Sequence, residues 1–159
     1  MQSIGLYGGT FDPLHNGHLR VCGWIKQQPF VDRVFIHVNE RPAYKKKPMF
    51  SFEQRLKFAN EFGASVIQEP LNYTCDVLKF LRKQFGKEVP IFFFVGQEWD
   101  LNTFKNHRYV LKNCERARIR QKEINIRSTD IRHMIKNKEP LDGLVPTNVL
   151  NIIKEKYYV

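Results

Sequence analysis

Residues 3–18 read SIGLYGGTFDPLHNGH, and this stretch indicates how the chain folds. It begins with a short apolar run that is typical of a buried strand. Two glycines, a threonine, an Asp-Pro turn and two histidines three residues apart follow, and then a segment of helical period begins. A strand that passes through a polar turn directly into a helix is the first half of a β-α unit.

The same alternation continues along the chain. Runs rich in Ile, Val and Phe predict strands at 3–8, 32–39, 64–68 and 89–96. Segments of helical period predict helices at 17–28, at 52–62, and between Thr74, as the N-cap, and Gly86. Beyond these we expect a strand within 117–126 and helices at 98–105, near Tyr109, at 128–136 and at 146–157. The pattern favours a single α/β, Rossmann-like domain over 1–159, with a mainly parallel sheet and helices on both faces.

Two local signals mark the ends of the second helix. Ser51 and Gln54 have the spacing of a capping box, so the helix should begin directly after the serine. Gly63 is suited to the position after its last turn.

Length and composition limit the class of protein. With 159 residues and 42% hydrophobic content, the chain can bury one core. The longest apolar run, 91–95, is too short to cross a bilayer, and the N-terminus has no signal-like segment, so we expect a cytoplasmic protein without membrane spans. Cys22, Cys75 and Cys114 form no CxxC pair, which indicates reduced thiols.

The net charge of +10 favours anionic partners. A basic surface attracts a nucleic acid, and a basic cleft attracts a small polyphosphate in the same way. Composition leaves both open.

The turn after the first strand suits phosphate. Ligands of parallel sheets bind at the carboxyl ends of the strands, and Gly8 and Gly9 let the backbone approach a ligand there. A helix beginning near Asn16 offers unpaired N–H groups to an anion, with His15 and His18 on one side of its first turn. No P-loop and no GxGxxG pattern is present, and the two histidines lack partners for a zinc site, so we predict no metal ligands in the protein.

A second candidate phosphate site lies at 124–132, INIRSTDIR. It places Ser128 and Thr129 at a predicted helix start, with Arg127 and Arg132 beside them. Taken alone, this is an ordinary Ser/Thr cap with surface arginines. Paired with the histidine turn in one α/β chain, it predicts a cleft that holds a triphosphate between two helix starts.

These motifs resemble those of a known family. GGTFDPLHNGH resembles the HxGH signature of the nucleotidyltransferases, and IRSTDIR resembles their ISSTxIR signature. NYTCDVLKFL, FFFVGQEWDLNTF, RPAYKKKP followed by Arg55, and LVPTNVLNIIKEKYY resemble further segments of the nicotinate or nicotinamide mononucleotide adenylyltransferases. The resemblance covers most of the chain in order and implies transfer of the adenylyl group of ATP to a pyridine mononucleotide, a step of NAD biosynthesis.

The resemblance also implies roles for single residues. His15 and His18 would hold ATP around its α-phosphate, and Thr10 would orient a reacting phosphate oxygen. The other ATP-binding residues would be Gly8, Gly9, Lys46 or Lys47, Gly96, Glu98 facing the ribose, Arg127, Ser128, Thr129 and Arg132. The acceptor would meet Thr74, Trp99 and His107, the last where the family usually has a tryptophan. Mg²⁺ would come with ATP.

The reaction needs no covalent intermediate, because the phosphate of the mononucleotide is already a nucleophile. A phosphopantetheine adenylyltransferase is the alternative enzyme, and a cytidylyltransferase is a more distant one. The alternative of another class is a basic nucleic-acid-binding module without catalysis. Its aromatic residues lie mainly inside predicted elements, so nucleic acid is not the favoured partner. Homo-oligomerisation and the choice between the two pyridines stay open.

Overall fold

The computed structural model describes residues 2–41, 47–96, 99–120 and 126–158. Its strands are β1 (Ile4–Gly9), β2 (Arg33–Val38), β3 (Ser65–Ile67), β4 (Ile91–Val95) and β5 (Glu115–Arg118). Its helices are α1 (Asn16–Lys26), α2 (Phe52–Ala59), α3 (Thr74–Phe85), α4 (His107–Asn113), α5 (Ser128–Lys136) and α6 (Thr147–Tyr157). Two 3₁₀ turns, Asn60–Phe62 and Leu101–Thr103, complete the described elements.

The five strands form one sheet in the order β3-β2-β1-β4-β5, and every neighbouring pair is parallel. The register pairs Gly8 of β1 with His37 of β2, and Tyr7 of β1 with Phe94 of β4. The predicted α/β, Rossmann-like fold is confirmed.

Helices cover both faces of the sheet, and each face has its own apolar cluster. One cluster packs α1, α2, α5 and α6 on the sheet and includes Ile25, Phe58, Ile131 and Ile153. The other packs α3 and α4 on the opposite face and includes Leu78, Leu81 and Val110. We call these the α1 face and the α3 face. The division matters because α1 and α5, whose N-terminal turns carry the candidate phosphate ligands, share the α1 face.

Several predicted helix ends are confirmed. Ser51 caps α2 through its hydroxyl, and the Gln54 side chain bonds back to the Ser51 backbone. Gly63 closes the following 3₁₀ turn with a φ of 60°, a left-handed conformation that favours glycine. α5 has the predicted bounds, because Arg127 is extended and Ser128 is the first helical residue.

The predicted N-cap of α3 is wrong. Thr74 is the first helical residue, and Tyr73 holds the cap position without a side-chain hydrogen bond. The reason is that the Tyr73 carbonyl already accepts the first helical bonds, from the N–H groups of Asp76 at 3.0 Å and Val77 at 3.1 Å.

The region after β4 also differs from the prediction. Within the described part of 98–105 there is only the 3₁₀ turn, because the Asp100 carboxylate accepts the Asn102 N–H at 3.0 Å and draws the chain into a local turn. The strand expected within 117–126 begins earlier, at Glu115, because 115–118 pair with 92–95 of β4. In the ranges that the structure describes, no helix is long and apolar enough to span a membrane.

Candidate functional site

The direction in which the chain connects successive strands reverses between β1 and β4. The chain leaves β1 through α1 towards β2, and leaves β4 through α4 towards β5, which lies on the other side. Loops that diverge in this way open a crevice at the carboxyl ends of the two strands, where parallel sheets bind ligands. The GGTFDPLHNGH turn borders this crevice.

His15 and His18 form the N-terminal cap of α1 together. The Nδ1 atom of His15 accepts hydrogen bonds from the backbone N–H groups of Gly17 at 3.0 Å and His18 at 3.4 Å. The Nδ1 atom of His18 accepts one from the His15 N–H at 3.1 Å. The two rings are stacked with centroids 3.7 Å apart. Because a backbone donor faces each Nδ1, each ring carries its proton on Nε2.

Both imidazoles are neutral at pH 7. Burial lowers the pKa of His15 from 6.5 to about 4. It also lowers the pKa of His18 well below 6.5, and repulsion from His15 lowers it further. Among the described residues, no hydrogen-bond partner faces either Nε2 atom. The pair therefore offers two preorganised N–H donors without a cationic charge of its own.

Phe11 supports the histidines from the α1 face. Its backbone has a φ of 53°, an unusual conformation for a residue other than glycine. Its buried ring lies edge-on to the His18 ring, with centroids 4.9 Å apart. A Cβ on Gly9 would come within 2.9 Å of the Phe11 ring. Gly9 is therefore required by this packing inside the loop, a cause that the sequence did not suggest.

The start of α5 contacts the same loop. The Ser128 hydroxyl donates to the Pro13 carbonyl at 2.9 Å. The Arg132 guanidinium donates to the Asp12 carbonyl at 2.9 Å and to the Thr129 hydroxyl at 3.1 Å. The structure thus brings together the two helix starts that the motifs singled out, although they are more than a hundred residues apart in the chain.

Two residues that the motifs contain, but to which the sequence assigned no role, hold this arrangement. Asp12 is buried, and its carboxylate accepts the backbone N–H groups of Met49 at 2.9 Å and Phe50 at 2.8 Å. Its Oδ2 also lies 3.9 Å from the Arg132 guanidinium. The Asp-Pro pair signalled a turn, but nothing in the sequence indicated that its carboxylate would reach the segment before α2.

Arg55 is the other. It is 1% exposed, and burial lowers its pKa. Its guanidinium donates to four backbone carbonyls, those of Phe50 at 3.0 Å, Thr10 at 3.2 Å, Glu40 at 2.7 Å, and Asn39. It therefore joins the turn after β1 to the end of β2 and the start of α2. With its donors committed to backbone, Arg55 supports the site rather than facing a ligand.

The structure brings none of the following ATP candidates into described contact with the two histidines. Lys46 and Glu98 lie outside the described residues, and Lys47 is exposed. The Gly96 carbonyl accepts a hydrogen bond from Arg116 at 3.1 Å. Arg127 is 75% exposed and pairs with Asp130 at 3.3 Å, so its described contacts do not join it to the histidines.

The acceptor candidates all follow β3 or β4. Thr74 begins α3, and His107 begins α4. Trp99 is 46% exposed and meets Phe104 edge-on. These residues belong to the region of the α3 face and not to the α1 face, which carries α5.

One further depression lies away from this site. It measures about 350 Å³ and is lined by Lys26, Arg33, Gly63 and Ser65, among others, at the amino ends of β2 and β3. Ligands of parallel sheets bind at the other edge, so this depression does not bear on the candidate site.

Comparisons with known proteins agree with the fold and the motifs. The cytidylyltransferase-like family model matches residues 6–134. A probable nicotinate-nucleotide adenylyltransferase of Fusobacterium nucleatum is 26% identical and covers 98% of this chain and 99% of its own. One of Yersinia enterocolitica is 32% identical over 65% of this chain, and the match spans about half of that relative, 52%.

Two solved structures show the same fold. A putative nicotinate-nucleotide adenylyltransferase of Vibrio parahaemolyticus superposes with a TM-score of 0.74 at 20% identity, covering 96% of this chain and 99% of the other. Nicotinic acid mononucleotide adenylyltransferase of Plasmodium falciparum, complexed with NaAD, gives 0.74 at 14% identity, covering 100% and 97%.

Proposed function

Because the chain belongs to the cytidylyltransferase-like family, we propose that it transfers the adenylyl group of ATP to nicotinate mononucleotide, with nicotinamide mononucleotide as the alternative acceptor, and releases pyrophosphate. The observation that carries the proposal is the contact between two helix starts. The α1 start presents two neutral imidazole donors, and the α5 start presents Thr129 and Arg132 beside them. The names of the relatives and the NaAD complex of the Plasmodium enzyme support the same reaction.

The polyphosphate of ATP lies across the two helix starts. The N-terminal dipoles of α1 and α5 attract its charge, and the Nε2–H groups of His15 and His18 donate to oxygens of the α-phosphate. Arg132 and the first turn of α5 bind the β- and γ-phosphates. Thr10 and a lysine of the basic loop, Lys46 or Lys47, complete the set.

ATP enters as its Mg²⁺ complex. The side chains that the two described helix starts offer are imidazole, hydroxyl and guanidinium groups, which suit phosphate oxygens better than Mg²⁺. The Asp12 carboxylate already accepts two backbone N–H groups. The ion is therefore carried by the polyphosphate.

The direction of attack follows from the two faces of the sheet. The leaving pyrophosphate is held at α5, on the α1 face. In-line displacement requires the nucleophile on the opposite side of the α-phosphorus, so the mononucleotide lies over the α3 face. An oxygen of its phosphate forms the new P–O bond while the bond from the α-phosphorus to the bridging oxygen breaks. Pyrophosphate takes the electron pair, and no enzyme nucleophile takes part.

The imidazole donors lower the barrier by stabilising charge on the α-phosphate oxygens in the transition state. One preorganised donor of this kind is worth about a hundred- to a thousandfold in rate. His18→Ala should therefore lower kcat much more than it raises the KM for ATP. An unchanged kcat in this variant would show that the ring only packs.

The test is pyrophosphate release from Mg-ATP with nicotinate mononucleotide, nicotinamide mononucleotide or phosphopantetheine, and from CTP with cytidylyl acceptors. Release with a pyridine mononucleotide, and formation of the corresponding dinucleotide, is the expected result. Release only with phosphopantetheine or only from CTP would assign a different acceptor or nucleotide. No release with any pair, together with salt-sensitive duplex binding, would favour the nucleic-acid module. The expected cytoplasmic location stays a prediction.

A further inference from the structure

His37 is a buried, titratable residue to which none of the family motifs assigns a role. It lies near the end of β2, is 5% exposed, and pairs in the sheet with Gly8 of the phosphate-binding turn. Its Nε2 lies 2.7 Å from the Leu71 carbonyl. A carbonyl can only accept, so Nε2 carries the proton and Nδ1 presents a lone pair. Burial also lowers the pKa of His37, which keeps the ring neutral.

The Nδ1 atom of His37 lies next to Gly8, on the side where a side chain would stand. A Cβ built on Gly8 would lie 3.4 Å from His37 Nδ1. Phe35 and Leu6, two residues earlier on each strand, belong to the α3-face cluster, so His37 and the open side of Gly8 face the same way. Among the described residues, no donor is found for Nδ1. The strand pair therefore ends in a nearly buried acceptor next to a position without a side chain.

This placement matters for the acceptor substrate. This inference rests on the proposed function, in which in-line attack brings the mononucleotide over the α3 face. A lone pair binds only a donor. The phosphate and the carboxylate of nicotinate mononucleotide are acceptors, whereas its ribose hydroxyls donate.

We propose that His37 is a specificity-determining residue whose Nδ1 accepts a hydrogen bond from a ribose hydroxyl of the acceptor mononucleotide, beside Gly8. The hydrogen bond to Leu71 holds the ring in the tautomer that makes this contact. Gly8 is required because a side chain there would fill the space that the hydroxyl enters.

Two variants separate the two nitrogen atoms. His37→Gln places an amide N–H where Nε2 was, so it keeps the bond to Leu71 and loses the acceptor at the Nδ1 position. His37→Asn places an oxygen at the Nδ1 position and loses the bond to Leu71. Steady-state kinetics are measured with nicotinate mononucleotide and with its 2′-deoxy and 3′-deoxy analogues, at saturating Mg-ATP, and thermal unfolding checks that each variant is folded.

The wild type should use one of the two deoxy analogues about tenfold less efficiently in kcat/KM than the parent, because a buried acceptor is left unpaired. His37→Gln should have a kcat/KM for the parent about tenfold below that of the wild type. Its kcat/KM for that analogue should equal the wild-type value, and its KM for ATP should be unchanged. His37→Asn should keep the discrimination.

Equal use of all three mononucleotides by the wild type overturns the assignment of His37, and so does discrimination that survives in His37→Gln. Either result leaves the proposed function intact. Absence of pyrophosphate release by the wild type with every mononucleotide overturns the proposed function, and this inference with it. If His37→Gln lowers kcat/KM with nicotinamide mononucleotide but not with nicotinate mononucleotide, the contact is to the pyridine amide and the ribose assignment is overturned.

Discussion

The double role of His15 allows helix capping to be separated from catalysis. Its Nδ1 caps α1 through bonds of 3.0 and 3.4 Å, and its Nε2–H is the proposed donor to the α-phosphate. Asparagine is among the best N-cap residues, and its side-chain oxygen can take the place of Nδ1. His15→Asn therefore removes the donor and keeps the cap.

We expect His15→Asn to lower kcat by about a hundred- to a thousandfold, the value of one preorganised donor to a developing charge. His15→Ala should lose a similar factor and also the cap. Both variants lose the ring contact at 3.7 Å with His18, so the difference in stability between them isolates the cap. That difference should be about 1 kcal/mol, or roughly 2–4 °C in Tm for a chain of this size.

The assay combines initial rates of pyrophosphate release at saturating Mg-ATP and mononucleotide with thermal unfolding of the same preparations. His15→Asn that keeps wild-type kcat would refute the argument, since it would show that the imidazole serves only to start the helix. Equal Tm values for the Asn and Ala variants would refute the capping part.

Three further predictions concern stability. Because the pKa of His15 falls from 6.5 to about 4 on folding, the unfolded chain binds more protons between these values, and His15 should contribute about 3 kcal/mol to the stability lost between pH 6.5 and 4. In urea titrations, the wild type should therefore lose more stability over this range than His15→Asn does. Gly9→Ala, whose Cβ would come within 2.9 Å of an aromatic ring, should lower the free energy of unfolding by about 1–3 kcal/mol. Gly23→Ala in α1 should raise it by about 0.5–1 kcal/mol in the same titrations. Arg55→Met should lower the free energy of unfolding by about 3 kcal/mol or more, because it leaves buried carbonyls without donors. Arg20→Met, on the exposed side of α1, should change it little, and similar losses in the two variants would contradict the role of Arg55.

Local patterns predicted most of the elements because the cause of each element is local. Ser51 and Gln54 cap α2, and Gly63 ends the turn after it, through contacts within a few residues. The same logic failed at Thr74 and after β4. At Thr74 the carbonyl of the preceding residue, Tyr73, already accepts the first helical hydrogen bonds. After β4 the Asp100 carboxylate accepts the Asn102 N–H and stabilises a short turn.

The candidate site was predicted in part. The residue types that suit phosphate, namely His15, His18, Ser128, Thr129 and Arg132, stand at helix starts that periodicity and caps reveal. Sequence spacing carries no information on whether two helix starts share a cleft. That question was decided by the hydrogen bond from Ser128 to Pro13 and the one from Arg132 to Asp12.

What the sequence determined by itself is the set of elements and the chemistry at their ends, because strand period, capping and turn preferences act between residues close in the chain. Only the tertiary structure decided which side chains face a ligand and which hold the backbone. The sequence shows Arg55 and Asp12 only as charged residues within two motifs, and the structure commits both to backbone groups brought together by the sheet. The physical reason is that a buried charge must be satisfied by whatever partners folding places beside it, and those partners are distant in the chain.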